Sequence, residues 1–348
     1  MLIANRYNPL NDSDRGGMGE VLFCEDLHLQ RQVVLKYLQP GVELRRLMDE
    51  QKALAQLRSR HVVQIYDIVN INVSGMDYPA IVLEFVNGDG LSVGCCAPDD
   101  DYLKVIWQIA CGLADIHSKG VIHRDIKPDN IKIDREGVLK ILDFGLSRNN
   151  NEAKTQSIVG TPIFMAPELW SGSDIAFDSS IDVYAFGVTC LALLNEKAPP
   201  GLLSRPPCQP SWGEFSEAFT GIPFEISEKL YQCLSKDTDC RPAMQEIRDL
   251  LARHLLKNRH RATVVLNGVV HILDSTNRRI TLNANVGSLE IEYDGLDFKV
   301  KSTSGSVYIN NVPAAEGSVV PGCCVLTFGA GSNRKFVTFD VSNPEVMP

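Results

Sequence analysis

The chain has 348 residues, 43 acidic against 34 basic side chains and a formal net charge of −9 at pH 7. That length exceeds one ordinary hydrophobic core and suggests about two domains, and the acidic balance argues against a surface for nucleic acid or anionic membrane, leaving proteins as the expected partners. Ten cysteines show neither CxxC spacing nor a disulfide framework, the N-terminus lacks a charged-then-apolar signal pattern, and no apolar run approaches the roughly 18 to 20 residues of a bilayer span; the expectation is a globular, cytoplasmic protein with reduced thiols.

In chain order, Arg15-Gly16-Gly17-Met18-Gly19-Glu20 leads into Val21-Leu22-Phe23-Cys24, which reads as a strand after a tight turn. Glycines there let backbone amides approach a phosphate closely, although glycine is also the default hairpin-turn residue. Arg31 to Leu38 follows as a β-branched strand with one lysine, Lys36, inside its apolar stretch, and such a lysine needs an anion. From Gly41 to Ser59 the spacing predicts a helix with Leu44, Leu47, Met48, Leu54 and Leu57 on one face. Glu50 shares that face, where a carboxylate is costly unless paired. Pro79 to Gly88 reads as a buried strand running into a turn.

Asp99, Asp100 and Asp101 open a helix over Tyr102 to Ser118, the acidic residues suiting its N-terminus. Next comes His123-Arg124-Asp125-Ile126-Lys127-Pro128-Asp129-Asn130, and after a short hairpin through Asp134 to Gly137, Asp143-Phe144-Gly145. These residues suit nucleotide-dependent phosphoryl transfer, in which a protein contributes mainly aim and charge neutralisation. Asp125 can take a hydroxyl proton, Lys127 can neutralise the transferring group, and Asn130 and Asp143 offer hard oxygen ligands to magnesium. Leu146 to Met165 is polar and reads as a mobile loop. Ser179 with Asp182 reads as a capping box opening an apolar helix, and Arg241-Pro242 as another helix start, with proline in its first turn.

The ordered motifs from about residue 5 to 255 resemble the eukaryotic-like serine/threonine protein kinases, whose signature set these are, and the Gly-Gly-Met-Gly-Glu-Val wording resembles bacterial members. The resemblance implies an α+β, bilobal kinase domain over 1–256, with a β-rich lobe to about residue 86 and a helical lobe beyond it. In the family's G-x-G-x-x-G-x-V loop, Gly16, Gly19 and Val21 match, Gly17 lies between them, and Asp14 stands at the first glycine position. The resemblance further implies that Lys36 holds the ATP α- and β-phosphates and pairs with Glu50. Val34 replaces the usual alanine against adenine, Leu83 guards the back of its slot, and the backbone of Glu84 and Val86 meets the base. It also makes 146–165 an activation segment, ending in Gly160-Thr161-Pro162 before Ala166-Pro167-Glu168, with Thr155, Ser157 and Thr161 as phosphorylation candidates and Arg124 as the cation that can match a phosphate there. Thr161 resembles the threonine that contacts the catalytic aspartate and lysine. Asp182 would anchor the catalytic loop, and Arg241 would pair with Glu168.

Beyond a basic linker at 257–262 the pattern turns to β. Thr263 to Leu266, Val269 to Leu273, Ser288 to Tyr293, Leu296 to Val300, Ser306 to Ile309, Cys324 to Phe328 and Lys335 to Phe339 alternate between turns, which suggests a small all-β sandwich over 263–343. Phe298-Lys299-Val300, Val307-Tyr308-Ile309-Asn310-Asn311 and Val320-Pro321-Gly322 before Val325-Leu326-Thr327-Phe328-Gly329 resemble the second half of a forkhead-associated (FHA) domain, a phosphothreonine reader. No Gly-Arg turn and no Ser-Arg-x-His run supply the phosphate contacts, so the expectation is a degenerate module that regulates, or docks a partner. The expected function is an ATP- and magnesium-dependent serine/threonine protein kinase acting on protein substrates. A pseudokinase scaffold and a small-molecule phosphotransferase stand as alternatives.

Overall fold

A computed structural model describes residues 2–16, 19–37, 57–73, 76–142, 162–170, 178–195, 197–342 and 346, with side chains described for all of these but 11–16, 19, 20, 37, 73 and 76. The chain divides into two compact units, Met1–Leu251 and Ala252–Met347.

The first unit begins with an antiparallel sheet of β1 (Tyr7–Gly16), β2 (Gly19–Asp26), β3 (Arg31–Tyr37), β4 (Ile65–Val73) and β5 (Met76–Glu84), in the order β1-β2-β3-β5-β4. Alternation along each strand sorts its residues onto two faces. One face carries Cys24, Val33, Leu35, Ala80 and Val82, which pack with Tyr7 and Ile71 into a core. The other carries Val21, Phe23, Val34, Lys36, Ile81 and Leu83, placed side by side by the pairs Val21↔Lys36, Phe23↔Val34, Val34↔Leu83 and Lys36↔Ile81. The turn after β2 is held by Asp26, which is fully buried. Its carboxylate accepts from Arg6 Nε and Nη2, both at 2.7 Å, and from the His28 and Leu29 N–H groups. The Arg6 hydrogen bonds, against the opposing effect of burial and with help from the two N–H groups, hold this carboxyl down at about 2. Since 3.8 is its ordinary value, its stabilising contribution is complete above that pH and is lost as the pH falls towards 2. Asp26→Asn is therefore expected to destabilise the protein at neutral pH and to flatten the acid limb of its stability profile, measured as urea midpoints from pH 2 to 7.

Beyond β5, β6 (Gly88–Gly90), β7 (Ile131–Asp134) and β8 (Leu139–Ile141) form a small sheet in that order. Helix α1 (Asp100–Ser118) starts at Asp99, whose carboxylate accepts from the Asp101 and Tyr102 N–H groups. It packs against β8 through Gln108, which accepts from Leu139 N at 2.9 Å and donates to Gly137 O at 3.2 Å. Helix α2 (Ser180–Leu194) is buried along its length from Ile181 to Leu193. That is why its sequence is apolar all round and shows no stripe. α3 (Trp212–Glu217), α4 (Phe224–Cys233) and α5 (Met244–Leu255) complete the helices. Gly187 lets α2 approach α4, since a Cβ there would lie 2.7 Å from that of Cys233. Pro242 precedes α5 and does not lie in its first turn.

The second unit is built from two sheets, β10-β9-β17-β16-β14-β15 and β11-β12-β13, with strands β9 (Ala262–Leu266), β10 (Val269–Leu273), β11 (Arg279–Ala284), β12 (Gly287–Tyr293), β13 (Phe298–Gly305), β14 (Val307–Ile309), β15 (Val312–Pro313), β16 (Cys323–Phe328) and β17 (Lys335–Val341). Residues from both sheets share one core, in which the rings of Tyr293 and Phe298 stack at 4.6 Å and Phe298 meets Phe339 edge-on at 5.5 Å. Two strands were not anticipated, β11 and the two-residue β15. β11 alternates as expected of a strand, with Ile280, Leu282 and Ala284 buried and Arg279, Thr281 and Asn283 exposed. Leu296 is not in a strand: Asp294 accepts from the Leu296 and Asp297 N–H groups and makes a turn there, so β13 begins at Phe298.

Candidate active site

The site grows from one buried carboxylate. Asp182, fully buried in the first turn of α2, accepts from His123 N and Arg124 N, each at 2.7 Å, and lies 2.9 Å from His117 Nε2. Ser179 makes no side-chain capping bond, so the capping-box reading of Ser179 and Asp182 is wrong. The carboxylate turns away from its own helix because two N–H groups of the preceding loop compete for it. Those bonds hold Arg124 at φ 70°, a left-handed conformation that costs a non-glycine residue about 1–2 kcal/mol. His123, fully buried, donates from Nε2 to Leu142 O at 2.7 Å, a carbonyl that can only accept. Its Nδ1 is thereby left as the acceptor for Asp125 N, at 3.3 Å, which requires a neutral imidazole. The loop is thus pinned at two successive residues, His123 and Arg124, before it reaches Asp125.

At Asp125, Oδ2 accepts from Lys127 Nζ and from Asn130 Nδ2, both at 2.9 Å. Asn130 Nδ2 also donates to Asp125 O at 2.7 Å. Both partners of that amide nitrogen are acceptors, so Asn130 Oδ1 points the other way, as a neutral hard-oxygen donor suited to a cation such as magnesium. The three-residue turn Pro128–Asn130 between Lys127 and β7 makes this possible, folding Asn130 back onto the aspartate five residues earlier.

Of the nucleotide-contacting residues expected from the sequence, Val21, Val34, Lys36 and Leu83 lie on one face of the first sheet. Lys36 is 4% exposed, a burial that an ammonium tolerates only with anionic or polar partners. Gly16, the last residue of β1, pairs with Gly19, the first residue of β2. Glu84 ends β5, and its N–H donates to Gln64 O at 2.9 Å. Its side chain accepts from Gln64 N at 3.1 Å and from Lys140 Nζ at 3.0 Å. The Lys140 contact, which ties β5 to β8, was missed from the sequence because neither residue stands out there. Val86 N–H has no partner among the described residues.

Arg241, its side chain fully buried, grips Glu168 with both prongs, Nη1–Oε1 at 2.7 Å and Nη2–Oε2 at 2.8 Å. It also donates to Ser235 O and Ser180 O and lies over the Tyr184 ring. Gly17, Glu50, Asp143, Thr155, Ser157 and Thr161 lie outside the described residues. Among the described residues, no three His, Cys, Asp or Glu side chains cluster as a metal site, and no helix is long and apolar enough to cross a membrane.

The model of the protein kinase domain matches residues 13–251. The chain belongs to the protein kinase domain family. The match takes in β2 to β5 of the sheet, the pinned loop and the Arg241–Glu168 pair. Similar proteins include the serine/threonine-protein kinases drp72 of Corynebacterium efficiens, 34% identical over 197 residues, and PknA of Corynebacterium glutamicum, 33% identical over 197 residues. Each of these alignments covers 53% of this chain and, respectively, 38% and 42% of the relative. PrkC of Bacillus subtilis is 32% identical over 209 residues, covering 57% of this chain and 31% of PrkC. The kinase-domain chain thus spans well under half the length of these curated relatives.

Proposed function

We propose that this kinase-domain protein is a serine/threonine protein kinase that transfers the γ-phosphate of ATP to protein hydroxyls. The observation that carries this reading is the set of Lys127 and Asn130 side chains holding one oxygen of Asp125 on a pinned loop. In this reading Asp125 orients the acceptor hydroxyl and takes its proton, and Lys127 offsets charge on the transferring group. Lys36, paired with Glu50, positions the phosphates, and the Gly16–Gly19 run covers them. Bound magnesium, held by Asn130 Oδ1 and Asp143, would neutralise phosphate charge. Val34 and Leu83 flank the adenine, and because Glu84 N–H is already bonded to Gln64, Glu84 offers the base its carbonyl while Val86 offers its N–H.

Thr155 or Ser157 is the expected autophosphorylation site, and the identity of its relatives as serine/threonine kinases, by name, supports hydroxyl acceptors. The C-terminal unit is read as an FHA-like regulatory or docking module for a protein partner. Its two sheets on one core and the Asn310 side chain accepting from Val325 N at 2.9 Å support that reading.

Phosphosite mapping after incubation with ATP, magnesium and a generic protein substrate tests the proposal. Phosphoserine or phosphothreonine is expected on the substrate and between Leu146 and Thr161, and Lys36→Met is expected to remove both. Nucleotide binding without transfer would instead mark a pseudokinase scaffold, and transfer only to small hydroxyl compounds would mark a small-molecule phosphotransferase.

A further inference from the structure

Two pairs of adjacent cysteines occur in the chain, and the fold treats them differently. Cys323 and Cys324 lie in β16, where neighbouring side chains point to opposite faces. Cys324 is 6% exposed within the sandwich core, whereas Cys323 is exposed and its Sγ lies 3.4 Å from Asp340 Oδ1. Their sulfurs cannot meet. Cys95 and Cys96 lie in the irregular stretch between β6 and α1, free of that alternation, and their Sγ atoms are 3.6 Å apart. Cys95 is exposed and Cys96 half-buried.

The backbone around this pair is anchored. Gly94 N and Cys96 N donate to Ala192 O and Leu193 O at the end of α2, at 2.8 and 2.9 Å, and Cys95 N closes a turn on Ser92 O. Because Gly94 adopts φ 71°, the chain reverses just before the two thiols, and both side chains emerge on the same side of the turn. A structural zinc ion calls for four ligands, and among the described residues not even three His, Cys, Asp or Glu side chains gather. The chemistry left to two touching thiols is with each other.

We propose that Cys95 and Cys96 are a modification site, forming a reversible vicinal disulfide when the protein meets a hydroperoxide. The exposed Cys95 thiolate attacks the peroxide, taking one oxygen as a sulfenic acid and releasing water or an alcohol. Cys96 sulfur then attacks the Cys95 sulfur, the S–S bond forms, and the sulfenic oxygen leaves as a second water with the Cys96 proton. Two thiols are oxidised and one peroxide reduced. The order follows from accessibility, and burial, which pushes the Cys96 thiol up to about 12, agrees with it. Reversibility follows from geometry. Adjacent Cα atoms lie about 3.8 Å apart across a trans peptide, closer than the roughly 4.4–6.8 Å of ordinary disulfides, so the ring is strained and readily reduced.

Treating the full-length protein with hydrogen peroxide, alkylating remaining thiols and mapping by mass spectrometry tests this. The fragment holding both residues is expected to be lighter by two hydrogen atoms and to carry no alkyl group, and dithiothreitol should restore two alkylatable thiols. Cys95→Ser and Cys96→Ser should each abolish the mass loss, and Cys323→Ser should leave it unchanged. Phenylarsine oxide, which needs two neighbouring thiols, should be captured by the untreated protein and by neither Cys95→Ser nor Cys96→Ser at this fragment. Peroxidation of Cys95 to a sulfinic acid with Cys96 still alkylatable, or a disulfide from either residue to another cysteine, would overturn the proposal. Arsenical capture without the mass loss would overturn it too.

Discussion

Replacing Asp125 by Asn is expected to lower kcat for phosphate transfer by about 10²–10⁴-fold, the range for loss of a positioned general base. The substitution is chosen because an amide oxygen at this position can still accept from Lys127 Nζ and Asn130 Nδ2, as Asp125 Oδ2 does. The loop geometry is therefore kept while the capacity to take a proton is removed. KM for ATP should change little, and stability should move by no more than about 1 kcal/mol, as for most partly exposed positions outside a core. Steady-state kinetics with a protein substrate, beside a urea titration, separates these quantities. A variant retaining more than a tenth of the wild-type kcat would remove Asp125 from the role assigned to it.

Arg241→Ala is expected to destabilise the first unit by about 3–5 kcal/mol, the range for breaking one partner out of a buried ion pair. Its side chain is fully buried, and its loss removes the two-pronged grip on the Glu168 carboxylate, which is 24% exposed. It also leaves the Ser235 and Ser180 carbonyls short of a donor. Lysine should rescue little, because one ammonium cannot reproduce the two-pronged contact with both Glu168 oxygens or the stacking on Tyr184. Combined with Glu168→Gln, the two losses should fall short of additivity by about 1–3 kcal/mol, as for contacting residues. Urea unfolding followed on the transition of the first unit measures this, since two compact units need not unfold together. A loss under about 1 kcal/mol would mean that the pair does not brace the structure. Because the proposed activation segment leads into Glu168, a fall in kcat is also expected for any Arg241→Ala protein that remains folded at the assay temperature.

Much of the site could be read along the chain because its parts are local. Asp125, Lys127 and Asn130 lie within six residues, so one local motif marked all three, and one short turn closes them on one another. Strand alternation likewise placed Val34 and Lys36 on one side of β3. The helix over Asp100–Ser118 was legible from its period and its acidic start, because an amphipathic helix buries one face and must mark it. α2 carried no such mark, being buried all round.

What the tertiary structure alone decided are the contacts between residues far apart in sequence. Asp182 reads locally as a helix cap, and only the folded chain brings the His123 and Arg124 N–H groups to its oxygens in place of those of its own first turn. The tie between Glu84 and Lys140, the neutral state forced on His123 and the meeting of Cys95 with Cys96 but not of Cys323 with Cys324 have the same origin. Periodicity and motif report how a residue sits on its own element. Which polar group satisfies a buried donor or acceptor depends on where the other elements pack, and that is settled by the whole core at once.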